Sequence, residues 1–394
     1  MSHRKRILVT GAAGDGGIGV IRELAAAGHE VAGADTTRLP FGLRSRYLKS
    51  VHRLPLPTDC RFDESLVALV RVVQPDVFLP LGSHCVRAAG RQVAELSRHT
   101  ALVVPTQDAF LAAFDHAVCA AECAELQIPC PAVYTPEEAL ARLSDGGRAE
   151  SVVVKPRTDK GEARGVSYVR GPDALRRSLA DCTARFGGAI VQEYIPGDTS
   201  AMRTVVLLFD KESRLLAAFT TCKLRQWPPT GGVTALSIST AEAPLVESVL
   251  PFFHRWRWRG FAEVELKVDR RDGVAKVIEI NPRNPGYLRF PIVCGLPLGR
   301  LAVAAATGEA GAALPFPSYA VGRRFANLEL VVRSVAAEIR TSSSKTGVVR
   351  GALADLKGTG GFLAGFLVDP APPLGRVLLA AGRGLRGRGS VSGP

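Results

Sequence analysis

The chain has 394 residues and a formal net charge of +13, a length that fits two or three domains around a sizeable core. It is 46% hydrophobic and 22% charged, the balance of a globular protein. No stretch approaches the ~20 uninterrupted apolar residues of a transmembrane helix, and the basic segments lack the interleaved aromatics of a nucleic-acid domain.

The N-terminus is basic, but the apolar run after it, Ile7-Leu-Val, is too short for a signal peptide. Eight cysteines are scattered, and the Cys119, Cys123, Cys130 cluster lacks the paired short spacings of a zinc site. Buried thiols in a reducing cytoplasm are expected, so the protein reads as cytoplasmic.

In chain order, Arg6 to Asp35 reads as strand, glycine-rich turn (Gly11 to Gly19), helix and strand, with Gly28 as the helix C-cap. Asp76-Val-Phe-Leu-Pro80 is a further strand, followed by Gly82, a helix through Leu96 and a strand at Leu102-Val-Val-Pro105. This alternation predicts a parallel, doubly wound sheet over roughly the first 110 residues. One long helix is expected from Ala109 to Leu126.

After that the pattern becomes antiparallel. Strands are expected at Glu150 to Pro156, Val166 to Val169 and Ile190 to Ile195, with a helix from Pro172 to Arg185 and a hairpin of Val205–Phe209 with Leu215–Thr221. Beyond 318 a helix is expected over Asn327 to Ile339, then an apolar run, Gly361 to Val368, and a disordered last dozen residues. From Arg323 onward there are eleven Lys/Arg against four Asp/Glu, so this end is basic.

The most informative stretch runs from Glu265 to Arg283. Glu265-Leu-Lys-Val-Asp269, an Arg-Arg-Asp-Gly turn and Val277-Ile-Glu279-Ile-Asn281 predict a hairpin with Glu265 and Glu279 as cross-strand neighbours. Asn281 shares the face of Glu279. Two carboxylates and a carboxamide are hard oxygen ligands suited to magnesium that also holds nucleotide phosphates. Arg283, two residues on, would aim at charge developing on a phosphoryl group. Lys155 closes a run of β-branched residues, which would pack its stem and aim its ammonium at a cleft.

Strand-Lys155-Pro, a glycine loop, Gln192-Glu193-Tyr194-Ile195-Pro-Gly, then Glu265 and Glu279-x-Asn281-x-Arg283 together resemble the ATP-grasp superfamily over residues ~1–310. The Gly-Ala-Ala-Gly-Asp-Gly-Gly-Ile-Gly run looks like the Rossmann-like pre-ATP-grasp domain of carbamoyl-phosphate-synthase-type members. The resemblance implies a pre-grasp domain at 1–112 and a two-subdomain ATP-grasp fold at 113–312, divided into 113–189 and 190–312. A small basic C-terminal region, 313–394, follows. It implies an α/β plus α+β fold class.

The resemblance also implies roles. Lys155 would hold nucleotide phosphates, and Lys160, Gly161 and Gly165 would belong to a mobile flap over them. Gln192, Glu193, Tyr194 and Ile195 would contact the adenine, with Asp198 toward the ribose. Two Mg2+ ions, with Mn2+ as a substitute, would sit on Glu265, Glu279 and Asn281. Cys222-Lys223-Leu-Arg225-Gln-Trp-Pro-Pro is similar to the carboxylate–amine ligase branch, which implies that Lys223 and Arg225 serve an acyl phosphate or a substrate carboxylate. Asn284, Tyr287 and Arg289 are expected at the acceptor pocket.

The implied activity is an ADP-forming ligase joining a small carboxylate to an amine through an acyl phosphate, with a homodimer left open. One departure stands out: the Asp-Lys pair common at the start of the first grasp helix reads Asp115-His116 here, so that His116 takes the lysine's place at the ATP phosphates, another cation does, or nucleotide binding is altered. Two other readings stay open. One is an NAD(P)-dependent oxidoreductase, from Thr10-Gly-Ala-Ala-Gly with Asp35; the other is an impaired ATP-grasp protein that binds nucleotide without turnover.

Overall fold

The computed structural model describes residues 4–36, 42–144, 151–158, 164–228, 231–357, 359 and 369. The chain opens with β1 (Arg6–Thr10), α1 (Asp15–Ala26), β2 (Glu30–Asp35), β3 (Ser50–Arg53), α2 (Phe62–Val73) and β4 (Val77–Leu79). Two helices follow, α3 (Ser83–Arg91) and α4 (Val93–Leu96). Among the described residues these strands form a parallel sheet in the order β3-β2-β1-β4. Ile7, Leu8 and Val9 are buried together, as strands covered on both faces must be. The strand expected at Leu102–Pro105 does not form. Only Ala101 bridges, to Val77, and Pro105 brings no N–H to a ladder. The structure adds β3 and α2, which the hydropathy pattern did not single out.

The single helix expected from Ala109 to Leu126 is two, α5 (Gln107–Phe114) and α6 (His116–Glu125). Asp115 breaks it with φ −88° and ψ 110° and accepts hydrogen bonds from the backbone N–H groups of Ala117 and Val118. That is an N-cap, satisfying donors that the helix start leaves unpaired.

The next unit holds β5 (Val133–Tyr134), α7 (Pro136–Ser144), β6 (Val152–Pro156), β7 (Ser167–Val169), α8 (Pro172–Phe186) and β8 (Ala189–Glu193). Its antiparallel sheet runs β5-β8-β6-β7 among the described residues. Val152, Val154 and Val191 on the sheet pack with Ala139, Leu175 and Cys182 from the helices. Because β8 belongs to this sheet, the subdomain division drawn at 190 falls inside one of its strands.

The remaining strands and helices are β9 (Met202–Phe209), β10 (Leu215–Trp227), β11 (Val233–Thr240), α9 (Ala243–Arg255), β12 (Gly260–Val268) and β13 (Ala275–Asn281). After them come α10 (Arg289–Val293), α11 (Leu298–Thr307), β14 (Arg324–Ala326), α12 (Leu328–Thr341) and α13 (Lys345–Leu356). Among the described residues the central sheet runs β13-β12-β9-β10-β11-β14, all antiparallel.

Strand alternation divides the faces of this sheet. Val205, Leu207, Phe209, Ala262, Val264 and Leu266 turn to α9, where Phe252 and Phe253 are buried, and to Trp258 just beyond it. Val206, Leu208 and Phe219 turn the other way, onto a core shared with Ile7, Val9, Ile21 and α10–α11. The parallel unit and the central sheet are therefore joined by apolar packing rather than by a linker. β14 pairs with β11, so the region from 313 onward is tied to the central sheet through its edge. The apolar run Gly361–Val368 and the last dozen residues lie outside the described residues.

Candidate active site

A cleft of about 2250 Å³ runs between the two antiparallel sheets and the glycine turn of the parallel unit. Its floor is the β12–β13 hairpin. Glu265 pairs with Glu279 across it, and Glu263 pairs with Asn281, so the predicted register holds. Glu279 Oε1 accepts from Asn281 Nδ2 at 2.9 Å. Its Oε2 lies 3.7 Å from His116 Nε2. Glu265 Oε2 is 2.7 Å from Lys223 Nζ, whose side chain is 1% exposed.

Arg283 spans several elements. Its Nη1 donates to Glu263 Oε2 at 2.8 Å, its Nη2 to Asn281 Oδ1 at 3.0 Å and its Nε to Ser83 Oγ at 3.2 Å, at the start of α3. Glu263 is buried, and burial pushes its carboxyl up against the opposing pull of Arg283. This third carboxylate was not among the expected site residues. The period-two rule that linked Glu279 to Asn281 finds it, one step back along the strand from Glu265.

Lys155, at the end of β6, is buried and reaches across the cleft to donate to Ile278 O at 3.0 Å. His116 opens α6 beside it, and its Nδ1 lies 3.0 Å from Pro156 O. Asp115 is held by Arg157, so the cap that breaks the helix also fixes where His116 stands.

On the other flank, Gln192 and Ile195 are buried and Tyr194 meets Tyr168 edge-on at 5.8 Å. Lys267 Nζ sits 5.3 Å from the centre of the Tyr194 ring. Glu193 is engaged by Arg271 and by the backbone N–H of Ala132 at 3.3 Å. Asp198 is exposed and caps a short turn, accepting from Ser200 N at 2.9 Å, with Arg270 at 3.6 Å. Lys160 and Gly161 lie outside the described residues. Gly165 has φ +83°, and a Cβ there would come 2.5 Å from the Phe186 ring, so the residue is a packing requirement next to the expected flap.

Asn284, Tyr287 and Arg289, the residues expected at the acceptor pocket, lie along the same cleft. Asn284 Oδ1 accepts from Gly82 N at 3.0 Å. Tyr287 is buried, and burial followed by the Glu263 carboxylate pushes its phenol well above the ordinary value. Arg289, on α10, places Nε 3.6 Å from Asp15 Oδ1. All three line the cleft.

Arg225 does not, and this corrects its expected role. A β-bulge between Lys223 and Gln226 breaks the alternation that put it on the Lys223 face. Its guanidinium instead binds Glu338 of α12 and Asp355 of α13, the latter at 2.8 Å. Gln226 takes its place in the cleft lining.

The glycine turn has a structural explanation. Asp35 Oδ2 accepts from Ala13 N at 3.0 Å and so closes the loop.

No protein-family model matches the chain. Among curated proteins it is 28% identical over 113 residues to a D-aspartate ligase of Enterococcus faecium, a match spanning 28% of this chain and 27% of that relative. Among solved structures it is similar to the biotin carboxylase domain of the Hydrogenobacter thermophilus 2-oxoglutarate carboxylase, in complex with MgADP, ADP and bicarbonate. There the TM-score is 0.63 at 14% identity, covering 82% of this chain and 74% of that one. It is also similar to an L-amino acid ligase from Bacillus licheniformis, with TM-score 0.56 at 16% identity, covering 78% and 75%. The chain has the ATP-grasp fold. No described helix is long and apolar enough to cross a membrane.

Proposed function

We propose that this protein is an ATP-dependent carboxylate–amine ligase that activates a carboxylate as its acyl phosphate, releases ADP and passes the acyl group to an amine. The observation that carries this reading is the paired Glu265–Glu279 floor with Asn281, facing Lys155 across the cleft. The partial match to a D-aspartate ligase and the fold likeness to an L-amino acid ligase support it.

The donor set fits magnesium. Two carboxylates and an amide oxygen are hard ligands, and in nucleotide sites phosphate oxygens and water complete the shell. Magnesium bound there would offset charge on the transferring phosphoryl group. The protein's own part is positioning. Lys155 and His116 would hold the phosphates, His116 standing where the resemblance expects a lysine. Gln192 to Ile195 would take the adenine, with Tyr194 held by Tyr168. Asp198, exposed and used as a cap, is the weakest of the nucleotide contacts.

Arg283 is held by Glu263 and Asn281, so its guanidinium is oriented before substrate arrives and costs little reordering in the transition state. Lys223 would leave Glu265 for the acyl phosphate once divalent cation neutralises that carboxylate. Asn284, Tyr287 and Arg289 would shape the acceptor end.

Glu279→Ala tests the reading. ADP release with MgATP and a panel of amino acids should fall by about 100-fold or more, the scale of losing a group that acts on transition-state charge. A variant that releases ADP at the wild-type rate would sink the metal assignment.

A further inference from the structure

One wall of the cleft is not absorbed by a nucleotide and a small amino acid. α12 turns Leu328, Val332, Arg333, Ala336 and Arg340 into it, a stripe at helical spacing. Val332 is 66% exposed, although it sits on a helix whose Val331 is buried against Ala235, Leu236 and Ala326. Arg333 meets Glu329 at 2.7 Å, and Arg340 forms no ion pair among the described residues. The helix is held in place by the Arg225 guanidinium, which binds Glu338 on α12 and Asp355 on α13. Glu329 lines the same wall and offsets Arg333, so the stripe carries one net positive charge, centred on Arg340, and is complementary to a partly apolar anion.

The sheet order sets the scale. α12 packs on β10 and β11, while Glu279 lies on β13, three to four strands away. At ~4.8 Å per strand that is about 14–19 Å, the reach of roughly four to five extended residues. The cleft volume, about 2250 Å³, is also more than twice the ~1000 Å³ upper range of small-molecule sites.

We propose that the α12 face binds the anionic far end of an extended substrate, so that one partner in the ligation is a chain of about four to five residues' length rather than a free amino acid. This rests on the ligase reading but adds a separate binding surface. Leu328, Val332 and Ala336 receive the apolar part of the chain. Arg333 and Arg340 receive its terminal carboxylate or phosphate.

Calorimetric titration of the full chain, preloaded with magnesium and a non-hydrolysable ATP analogue, tests this with three probes. They are Ala-Leu-Ala-Ala, its C-terminal amide and Ala-Leu-Ala-phosphoserine amide, with free alanine as the reference ligand. The anionic chains should bind about 10-fold or more tightly than the neutral amide, a difference on the scale of desolvated charge recognition. The R333E/R340E variant should lose that preference while holding the ATP analogue within about twofold of wild type. Preference between the carboxylate and phosphate probes identifies the anion. Equal binding of charged and neutral chains, an unchanged preference in the variant, or free alanine binding as tightly as the tetrapeptide would each overturn the proposal. Failure of wild type to bind the ATP analogue would instead overturn the ligase reading.

Discussion

Asp269 has a side chain with 0% exposure and is surrounded by cations. Its carboxylate accepts from Arg271 Nε at 2.9 Å and from Lys276 Nζ at 2.6 Å. Arg271, above all, holds it well below the usual carboxylate range, with Lys276 adding to the effect. Arg271 reaches Glu193 as well, so this cluster fastens the proposed adenine linker to the β12–β13 hairpin. A carboxylate with a depressed folded pKa contributes stability above the unfolded value of about 4, and loses it as pH falls through the folded one. Asp269→Asn should therefore cost about 1–3 kcal/mol at pH 7 and flatten the acid side of the stability profile. Urea midpoints measured from pH 7 down to pH 3 check both parts, and parallel profiles for the two proteins would contradict the assignment. Glu265, Glu279 and Asn281 were legible although the register shifts just beyond Glu265, because Glu263 to Glu265 and Glu279 to Asn281 pair without interruption. Arg225 was misread because a bulge inserts one residue, and one residue is enough to exchange the faces of a strand.

At the level of elements, the α5–α6 junction shows how a polar side chain can override hydrophobic periodicity. Apolar spacing runs on through Asp115, so the sequence reads as one helix. The carboxylate competes for the backbone by capping Ala117 and Val118, and Arg157 steadies it. Asp115→Ala should cost about 0.5–2 kcal/mol and weaken nucleotide binding through the displaced His116. Asp115→Asn, which keeps a capping oxygen, should lose less. Thermal melts and nucleotide titration of the pair decide it; if the alanine variant melts and binds like wild type, the cap does not hold the break. β3 and β11 escaped the sequence reading for a different reason: each is completed by the strand it pairs with.

For the whole molecule, the decisive contact is between α1 and α10. Gly19 faces Arg289, and a Cβ at this position would lie 2.7 Å from the Arg289 Cα. The glycine run read as a turn in sequence is also what lets the parallel unit lie against the second half of the chain. Gly19→Val places branched atoms against backbone that has little room to yield, at a cost of about 1–3 kcal/mol or more. Its expected signature is a lowered melting temperature with faster amide exchange in β1 and α1 than in β12 and β13. Uniform exchange at the wild-type rate would show that the close approach is dispensable.

Local chemistry explains what the sequence determined by itself. Strand alternation, hairpin length and turn residues act over two to ten neighbours, so the parallel start, the antiparallel middle and the Glu265–Arg283 hairpin could be read directly. Tertiary structure decided what depends on distant partners. Glu263 orients Arg283, Lys223 pairs with Glu265, and β14 and α12 return to the central sheet. Arg225 anchors the C-terminal helices rather than facing the cleft, because its partners lie more than a hundred residues further along the chain. No window of sequence contains both ends of such a contact, and only packing brings them together.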